Sequence, residues 1–262
     1  MPRTPGVSMD FALHTEESIA VAGWPTGLLG TALVEWRAPL YRSDSIVFQD
    51  TALGLGGMVL ASPVFVGVGP RVAIAPIDVF DVGLKFQRWQ YWKSGSGLGG
   101  VDALTPMLEA TRDVTPLNTG AWVGTVEPTL KLKVGSVIAV GAWTIDWFHV
   151  EQPGGYALLY EPFRDLVVAP DDWLVEQMGI VLYEFRGDPD GIRVGATVID
   201  RRSLNAGDLS TRVGLIGAVR PADKPGWPTF VGLVNWYVVD GDRVGPIPYM
   251  ALQAQWSQGA LP

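Results

Sequence analysis

The chain has no cysteine among its 262 residues and only two histidines, His14 and His149. The absence of cysteine excludes disulfides and thiolate metal sites. Two histidines with scattered carboxylates also give no recurring spacing of metal ligands. We therefore predict no metal and no cofactor, and we expect burial and strand pairing alone to stabilise the fold.

Charge is scarce and mostly negative. Charged residues make up 18% of the chain and hydrophobic residues 48%, whereas an average soluble domain has about 25% charged residues. The formal net charge of -8 and the absence of a basic cluster argue against nucleic acid or an anionic membrane surface as a partner. So little charge predicts that lipid, and not water, covers part of the surface.

The chain also lacks a convincing membrane-spanning helix. Residues 51–70 carry no charge, but five glycines and two prolines among them make one helix unfavourable. Two uncharged strands that meet at Ser62 and Pro63 explain the stretch better. Residues 1–7 lack the apolar run of a secretory signal, so we expect the sequence to be the mature form of an exported protein.

What the sequence does contain is a repeated alternation of apolar and polar residues, clearest between Trp122 and His149. Thr125, Glu127 and Lys131 fall on one parity of its first arm. The other parity carries Trp122, Val126, Pro128, Leu130 and Leu132. After a reversal at residues 135–136 a second arm repeats the pattern, so the unit predicts a long β-hairpin. Arms of about 12 residues are long enough for a tilted strand to cross a bilayer.

The same pattern gives thirteen candidate strands along the chain. An even number is expected for a barrel of this kind, so we leave out Tyr156–Val168, which Pro162 interrupts, and we interpret residues 16–27 as a loop. We predict an all-β fold, a single antiparallel up-and-down transmembrane β-barrel of about 12 strands, with a range of 10 to 14. The barrel is expected to span residues 8–258, with tails at 1–7 and 259–262. A long loop at 93–120 would act as a gate or an external contact.

A membrane barrel must hide its charged side chains in the lumen, because a charge facing lipid costs about 2 to 4 kcal/mol near the midplane. Glu35 and Arg37 are expected to be neighbours that neutralise each other. The predicted lumen-lining residues are Glu35, Arg37, Asp81, Lys85, Glu127, Lys131, Lys133, Arg193, Arg201, Arg212 and Arg220. The aromatic residues predicted to lie at the membrane interfaces are Trp36, Trp89, Trp92, Trp122, Trp143, Trp147, Trp236 and Trp256.

In these features the chain resembles the bacterial outer-membrane β-barrels. The strand repeat with short turns carries the resemblance, together with a last strand, Tyr249–Trp256, that is similar to the aromatic-ended C-terminal signal of that class. The resemblance covers nearly the whole chain and remains at the level of the class. It implies a location in the bacterial outer membrane, with the lipid bilayer as partner.

For function, the sequence favours a non-enzymatic barrel, either a narrow passive channel for small solutes or a structural barrel with a charge-filled lumen. Two alternatives remain. A membrane-embedded lipid-modifying enzyme could use His149, which lies near Asp146 and Glu151 in sequence. A soluble lipocalin-like barrel that binds an apolar ligand would turn the apolar parity inward, because alternation shows which residues share a face and not which face is outside.

Overall fold

The computed structural model describes residues 12–23, 26–40, 51–93, 97–101, 114–186, 191–221, 226–239 and 248–258. The tails predicted at 1–7 and 259–262 lie outside the described residues, as do 94–96 and 102–113 of the predicted long loop. Within the described ranges no helix is long and apolar enough to cross a membrane.

The described residues form sixteen β-strands. In chain order they are β1 Ala12–Gly23, β2 Thr26–Pro39, β3 Ala52–Ala61, β4 Phe65–Ile77, β5 Phe80–Tyr91, β6 Gly99–Val101, β7 Thr115–Pro116, β8 Thr119–Val134, β9 Val137–Val150, β10 Leu158–Glu161, β11 Leu166–Val168, β12 Asp171–Arg186, β13 Ile192–Ser203, β14 Leu209–Val219, β15 Thr229–Val239 and β16 Tyr249–Gln258.

Twelve of these strands close into one antiparallel barrel in the order β1-β16-β15-β14-β13-β12-β9-β8-β5-β4-β3-β2. The first and last strands pair with each other, with Thr15 opposite Gln258, so the described barrel has no free edge. The predicted all-β, up-and-down barrel of about 12 strands is therefore confirmed. The segment Tyr156–Val168, which we left out of the barrel, indeed contributes no barrel strand.

The remaining strands form a small sheet of their own, in the order β11-β10-β6-β7. They come from two excursions of the chain, one between β5 and β8 and one between β9 and β12. Both excursions leave the same end of the barrel, which we call the capped end. At the opposite end β1 begins and β16 ends, and we call it the terminal end.

Alternation along the barrel strands places apolar side chains outside. Trp36 is 56% exposed and Leu252 59%, whereas Glu35, which directly precedes Trp36, is completely buried. The barrel strands hold 10 to 16 residues each, enough to cross a bilayer when tilted. The outer surface is thus an apolar wall and the inner surface a polar one, as the two parities predicted.

The main hydrophobic core lies inside the barrel at the capped end. Strand residues that point inward, such as Trp89, Val123 and Phe148, pack there against Leu159 and Leu166 of the small sheet. Burial of this interior surface, at roughly 25 cal/mol per Å² of apolar area, holds the small sheet to the barrel wall.

Two sequence predictions are wrong at this level. Residues 16–23 belong to β1 and not to a loop; the pattern is weak there because the outward positions Thr15 and Glu17 are polar. Trp89 is not an interface residue, since it is 2% exposed and stacks on Phe65 inside the barrel. Its parity is the one shared with Lys85 and Gln87, so its inward direction follows from the strand period.

Glycines mark places where adjacent barrel strands approach each other closely. At four inward-facing positions a Cβ atom would overlap the backbone of the adjacent strand. These positions are Gly56, Gly69, Gly195 and Gly214. The first two lie in β3 and β4 and the other two in β13 and β14, which are half-way round the strand order from each other. We call these two places the glycine corners.

Candidate functional site

The turn between β10 and β11 is folded into the lumen, and one buried carboxylate shapes it. Glu161 accepts hydrogen bonds from the backbone N–H groups of Phe163 (3.2 Å) and Arg164 (2.7 Å). The hydroxyl of Tyr91, on the barrel wall, donates to the same carboxylate at 3.1 Å. Asp165 completes the turn with a φ of 54°, a conformation that aspartate tolerates better than most residues. We call the segment from β10 to β11 the lumen hairpin.

Arg164, at the tip of the lumen hairpin, is bound to the barrel wall. Its Nε donates to Oδ2 of Asp146 at 2.9 Å, and its guanidinium lies 4.9 Å from the ring centre of Trp89. Asp146 also accepts a hydrogen bond from Thr125. Burial acts to lower the pKa of Arg164, but the carboxylates of Asp146 and Glu161 raise it above its ordinary value. The positive charge of Arg164 is therefore neutralised by Asp146 on the wall and by Glu161 on the hairpin.

Asp165 and the backbone of the tip make further bonds to the other side of the barrel. The hydroxyl of Tyr237 on β15 donates to Asp165 Oδ2, while Asp165 Oδ1 accepts from Tyr160 of the hairpin itself at 3.0 Å. Arg201 on β13 donates to the carbonyl oxygen of Arg164 at 2.8 Å. The lumen hairpin is thus hydrogen-bonded to β5, β9, β13 and β15 and spans the interior.

Asp146 lies four residues from the capped end of β9, which at 3.3 Å per residue is roughly 13 Å along the strand. Beside the lumen hairpin the barrel encloses a cavity of about 560 Å³. One wall of this cavity is apolar, with Leu29, Met58 and Phe65, and the other carries Arg201 and Arg212. The cavity and the lumen hairpin together form the candidate functional site.

Most of the predicted lumen-lining residues form ion pairs. Lys131 pairs with Asp81 at 2.6 Å near the terminal end. The other pairs are Glu35 with Arg37, Lys85 with Glu127, Arg193 with Glu184, Lys133 with Glu184, and Arg201 with Glu176. Arg212 is 1% exposed and has no ion pair among the described residues. Arg220 follows the end of β14 and is exposed, so it lies outside the inner wall of the strands.

The Glu35 pair is the most deeply buried of these. Arg37 Nε donates to Glu35 Oε1 at 2.6 Å, and Arg71 donates to Oε2. Gly54 on the neighbouring strand leaves room for this carboxylate, since a Cβ there would overlap it. The sequence predicted the contact of Glu35 with Arg37 because the two lie two residues apart on one face of a strand. It did not predict the contact with Arg71, which lies on a different strand.

We expect Glu35→Gln to lower the free energy of unfolding by about 2 kcal/mol or more, because it leaves two arginines facing the lumen without their carboxylate. The measurement is the temperature at which the folded, unboiled band on an SDS gel converts to the unfolded one. The control is Glu151→Gln, which removes the carboxylate of an exposed pair with Arg88 (2.7 Å) and should leave that temperature unchanged. Equal temperatures for both variants would contradict the prediction.

The predicted interface aromatics, Trp89 aside, lie on the outer face or at the capped rim. Trp122 stacks on Phe86 at 5.3 Å near the capped end. Trp92 follows the end of β5 and donates from Nε1 to the carbonyl oxygen of Pro63 at 2.5 Å. The outward positions are held by Trp36, Trp122, Trp143, Trp147, Trp236 and Trp256.

His149 also lies on the outer face. Its Nδ1 is 2.6 Å from Asp171 Oδ1, and its ring stacks on Trp147. Asp146, which sequence proximity had suggested as its partner, points into the lumen instead. In the described part of the chain the hydrogen-bond partner of His149 is Asp171, and no serine or threonine hydroxyl is among its partners.

The sequence did not indicate the residues at the centre of the site. Arg164, Glu161 and Asp165 lie in the segment that we excluded from the barrel, and Tyr237 had no recognisable motif around it. The one available signal was the parity of β15, which places Tyr237 on the same face as Asn235. No group of three or more metal-ligating side chains occurs among the described residues.

Comparison with known proteins finds similar solved structures but no matching family. No family model matches the chain, and no curated protein matches it. Among solved structures it is similar to the KdgM porin, with 8% identity and a TM-score of 0.44 over 95% of this chain and 99% of the other. It is also similar to the β-domain of the Bordetella autotransporter BrkA, with 10% identity and a TM-score of 0.46 over 94% of this chain and 97% of the other.

A third similar structure is OmpT, an outer membrane protein of Vibrio cholerae, with 10% identity and a TM-score of 0.37 over 95% of this chain and 97% of the other. The structures found are bacterial outer-membrane β-barrels, the class that the sequence pattern indicated. The assignment of the fold itself rests on this chain's own closed barrel.

Proposed function

We propose that the protein is a non-enzymatic β-barrel of the bacterial outer membrane and a narrow passive channel for small solutes. The observation that carries the proposal is the lumen hairpin, which crosses the interior and leaves a cavity of about 560 Å³ beside it. A barrel of this size without such a hairpin would enclose a wider space. The lumen hairpin therefore acts as the constriction, and β6 and β7 continue its sheet on the β10 side.

The exterior supports the membrane location. Large apolar side chains such as Trp36, Leu215 and Leu252 are more than half exposed, and in water such a continuous apolar band would be unfavourable. Outward-facing tryptophans occur towards both ends of the strands, as in interfacial belts. A soluble barrel with its apolar parity inside is inconsistent with these exposures.

The structural alternative is a barrel whose lumen is filled by its own ion pairs. The pairs of Lys85, Arg201 and Arg164 with carboxylates favour it, since they occupy the polar interior. The cavity beside the lumen hairpin favours the channel. Conductance separates the two functions.

The first experiment compares boiled and unboiled samples of detergent-solubilised protein on an SDS gel, followed by recording in planar lipid bilayers. We expect a fast-migrating unboiled band that shifts on boiling, and small discrete conductance steps. Solubility without detergent and no shift would contradict the membrane barrel. A shift without any conductance would leave the structural barrel as the function.

A further inference from the structure

One positive charge in the lumen has no partner within the described part of the chain. Arg164 and Arg201 both face carboxylates. Arg212 forms no ion pair with a described residue, and its buried Nε has no hydrogen-bond partner among them, although the residue is 1% exposed. Its guanidinium rests on two aromatic rings, 4.6 Å from the centre of Tyr249 and 5.4 Å from that of Tyr237. An unpaired buried cation is unfavourable by itself, so such groups are rare without a functional reason.

The carboxylate that acts on this cation through space is already engaged. Asp165 has an electrostatic effect on Arg212, but its two oxygens accept hydrogen bonds from Tyr160 and Tyr237. It does not approach Arg212 closely enough to form an ion pair in the described structure. Among the described residues, Arg212 is therefore left without an ion pair on this side of the cavity.

Two neutral polar side chains beside Arg212 also find no partner among the described residues. Both the amide oxygen and the amide nitrogen of Asn235, which is 0% exposed, are unpaired, as is the hydroxyl of Ser210. Ser210 precedes Arg212 by two residues on the same face of β14, and Asn235 lies opposite Gly214 on β15. Native proteins leave few buried polar atoms unpaired. Ser210 and Asn235 do not line the cavity, however, so of these groups Arg212 is the one that a ligand in the cavity can reach.

The opposite side of the same cavity is apolar. Leu29, Met58, Leu60 and Phe65 line it from β2, β3 and β4. In the closed strand order β4 stands six places from β14, so the apolar wall faces Arg212 across the barrel. Other charged residues also line the cavity, but they pair with each other: Lys85 with Glu127, Arg164 with Asp146, and Arg201 with Glu176. Among the described residues the cavity therefore offers one cation without an ion pair, Arg212, and an apolar wall opposite it.

We propose that this cavity binds a small amphipathic carboxylate, with the carboxylate on Arg212 and the apolar body against Leu29, Met58 and Phe65. The inference rests on the proposed channel function and deepens it by giving the class of solute. A volume of about 560 Å³ is within the usual range of small-molecule sites. Arg212 lines the cavity and can bind a carboxylate through two parallel N–H donors.

The test uses phenylacetate as the probe, with folded protein in a non-ionic detergent and isothermal titration calorimetry as the measurement. Phenylacetamide has the same body without the charge, and acetate has the charge without the body. We expect phenylacetate to bind at one site per chain, and both analogues to bind at least about tenfold more weakly. Equal binding of phenylacetamide and phenylacetate would overturn the assignment of an anion site.

The variant Arg212→Gln should weaken phenylacetate binding at least about tenfold, and Arg212→Lys, which keeps the charge, should weaken it less. The matched control is Arg202→Gln, because Arg202 is an exposed arginine paired with Asp200 on the outer face. Unchanged binding by Arg212→Gln would overturn the proposal. If Arg212→Gln does not fold, Arg212→Lys takes its place in the test. Phenylacetate binding by Arg212→Lys that equals binding by the control Arg202→Gln would then overturn the proposal.

Two further readouts separate a ligand site at Arg212 from a purely structural role of this residue. If Arg212 served only the fold, Arg212→Gln would lower the temperature at which the unboiled gel band converts, whereas removal of an unpaired buried charge should leave it unchanged or raise it. Conductance of the same preparation tests the channel separately. Phenylacetate binding without conductance would contradict the channel function but support the binding site at Arg212. Conductance without phenylacetate binding would contradict the binding site but not the channel function.

Discussion

Asp146→Asn is expected to raise the single-channel conductance of the reconstituted barrel severalfold. Asp146 is the wall carboxylate that accepts the hydrogen bonds of Arg164 at the tip of the lumen hairpin. Asparagine keeps the shape but not the charge, so the buried guanidinium keeps only Glu161, 3.6 Å away on the hairpin itself, as a counter-charge. Removal of one partner of a buried pair costs about 3 to 5 kcal/mol. The interaction that is lost is the one between the tip and the wall, so we expect the lumen hairpin to leave its position. Planar-bilayer recording measures the result.

The control for this prediction is Asp200→Asn, which removes a carboxylate of the same type from the outer face, where it pairs with Arg202. Its conductance should equal that of the unmodified protein. Both variants must first show the heat-dependent shift on a gel, so that only folded barrels are compared. If folded Asp146→Asn conducts like the control, the lumen hairpin is not the constriction.

Gly195→Ala is expected to lower the free energy of unfolding by about 3 kcal/mol or to prevent assembly. Gly195 belongs to a glycine corner, and a Cβ there would overlap the carbonyl oxygen of Val181 on the adjacent strand. Because the overlap is with backbone, no side-chain rotation relieves it and the strands must move apart. The urea concentration at which the unboiled fast band disappears measures the change.

Gly232→Ala provides the matched comparison, since no atom lies within 4 Å of a Cβ built at Gly232 on β15. Here the substitution should be neutral or stabilise slightly, because alanine restricts the unfolded chain more than glycine does. Similar urea midpoints for the two variants would mean that the wall at Gly195 adjusts without strain.

The sequence predicted the barrel well because the information lies in local alternation. The parity of Trp122 to Leu132 and the reversal at Gly135 are enough to place one hairpin, and the same pattern repeats around the barrel. It was weaker where outward residues are polar, as at Glu17, and misleading where an inward residue is a tryptophan, as at Trp89.

The candidate site was less predictable because its contacts join distant parts of the chain. Arg164 reaches Asp146, 18 residues away, and Asp165 reaches Tyr237, 72 residues away. Periodicity tells which residues share a face but not which loop enters the lumen. The exclusion of Tyr156–Val168 from the barrel was correct, yet its consequence, a segment free to fold inward, becomes visible only in three dimensions.

The glycine corners have a consequence for the inner surface of the barrel. At each of their four glycines the backbone of the adjacent strand lies where a Cβ atom would be, so no side chain can project from the wall there. A methyl group at any of them would push two strands apart, and it would therefore change the lumen beside them as well as the strength of the wall.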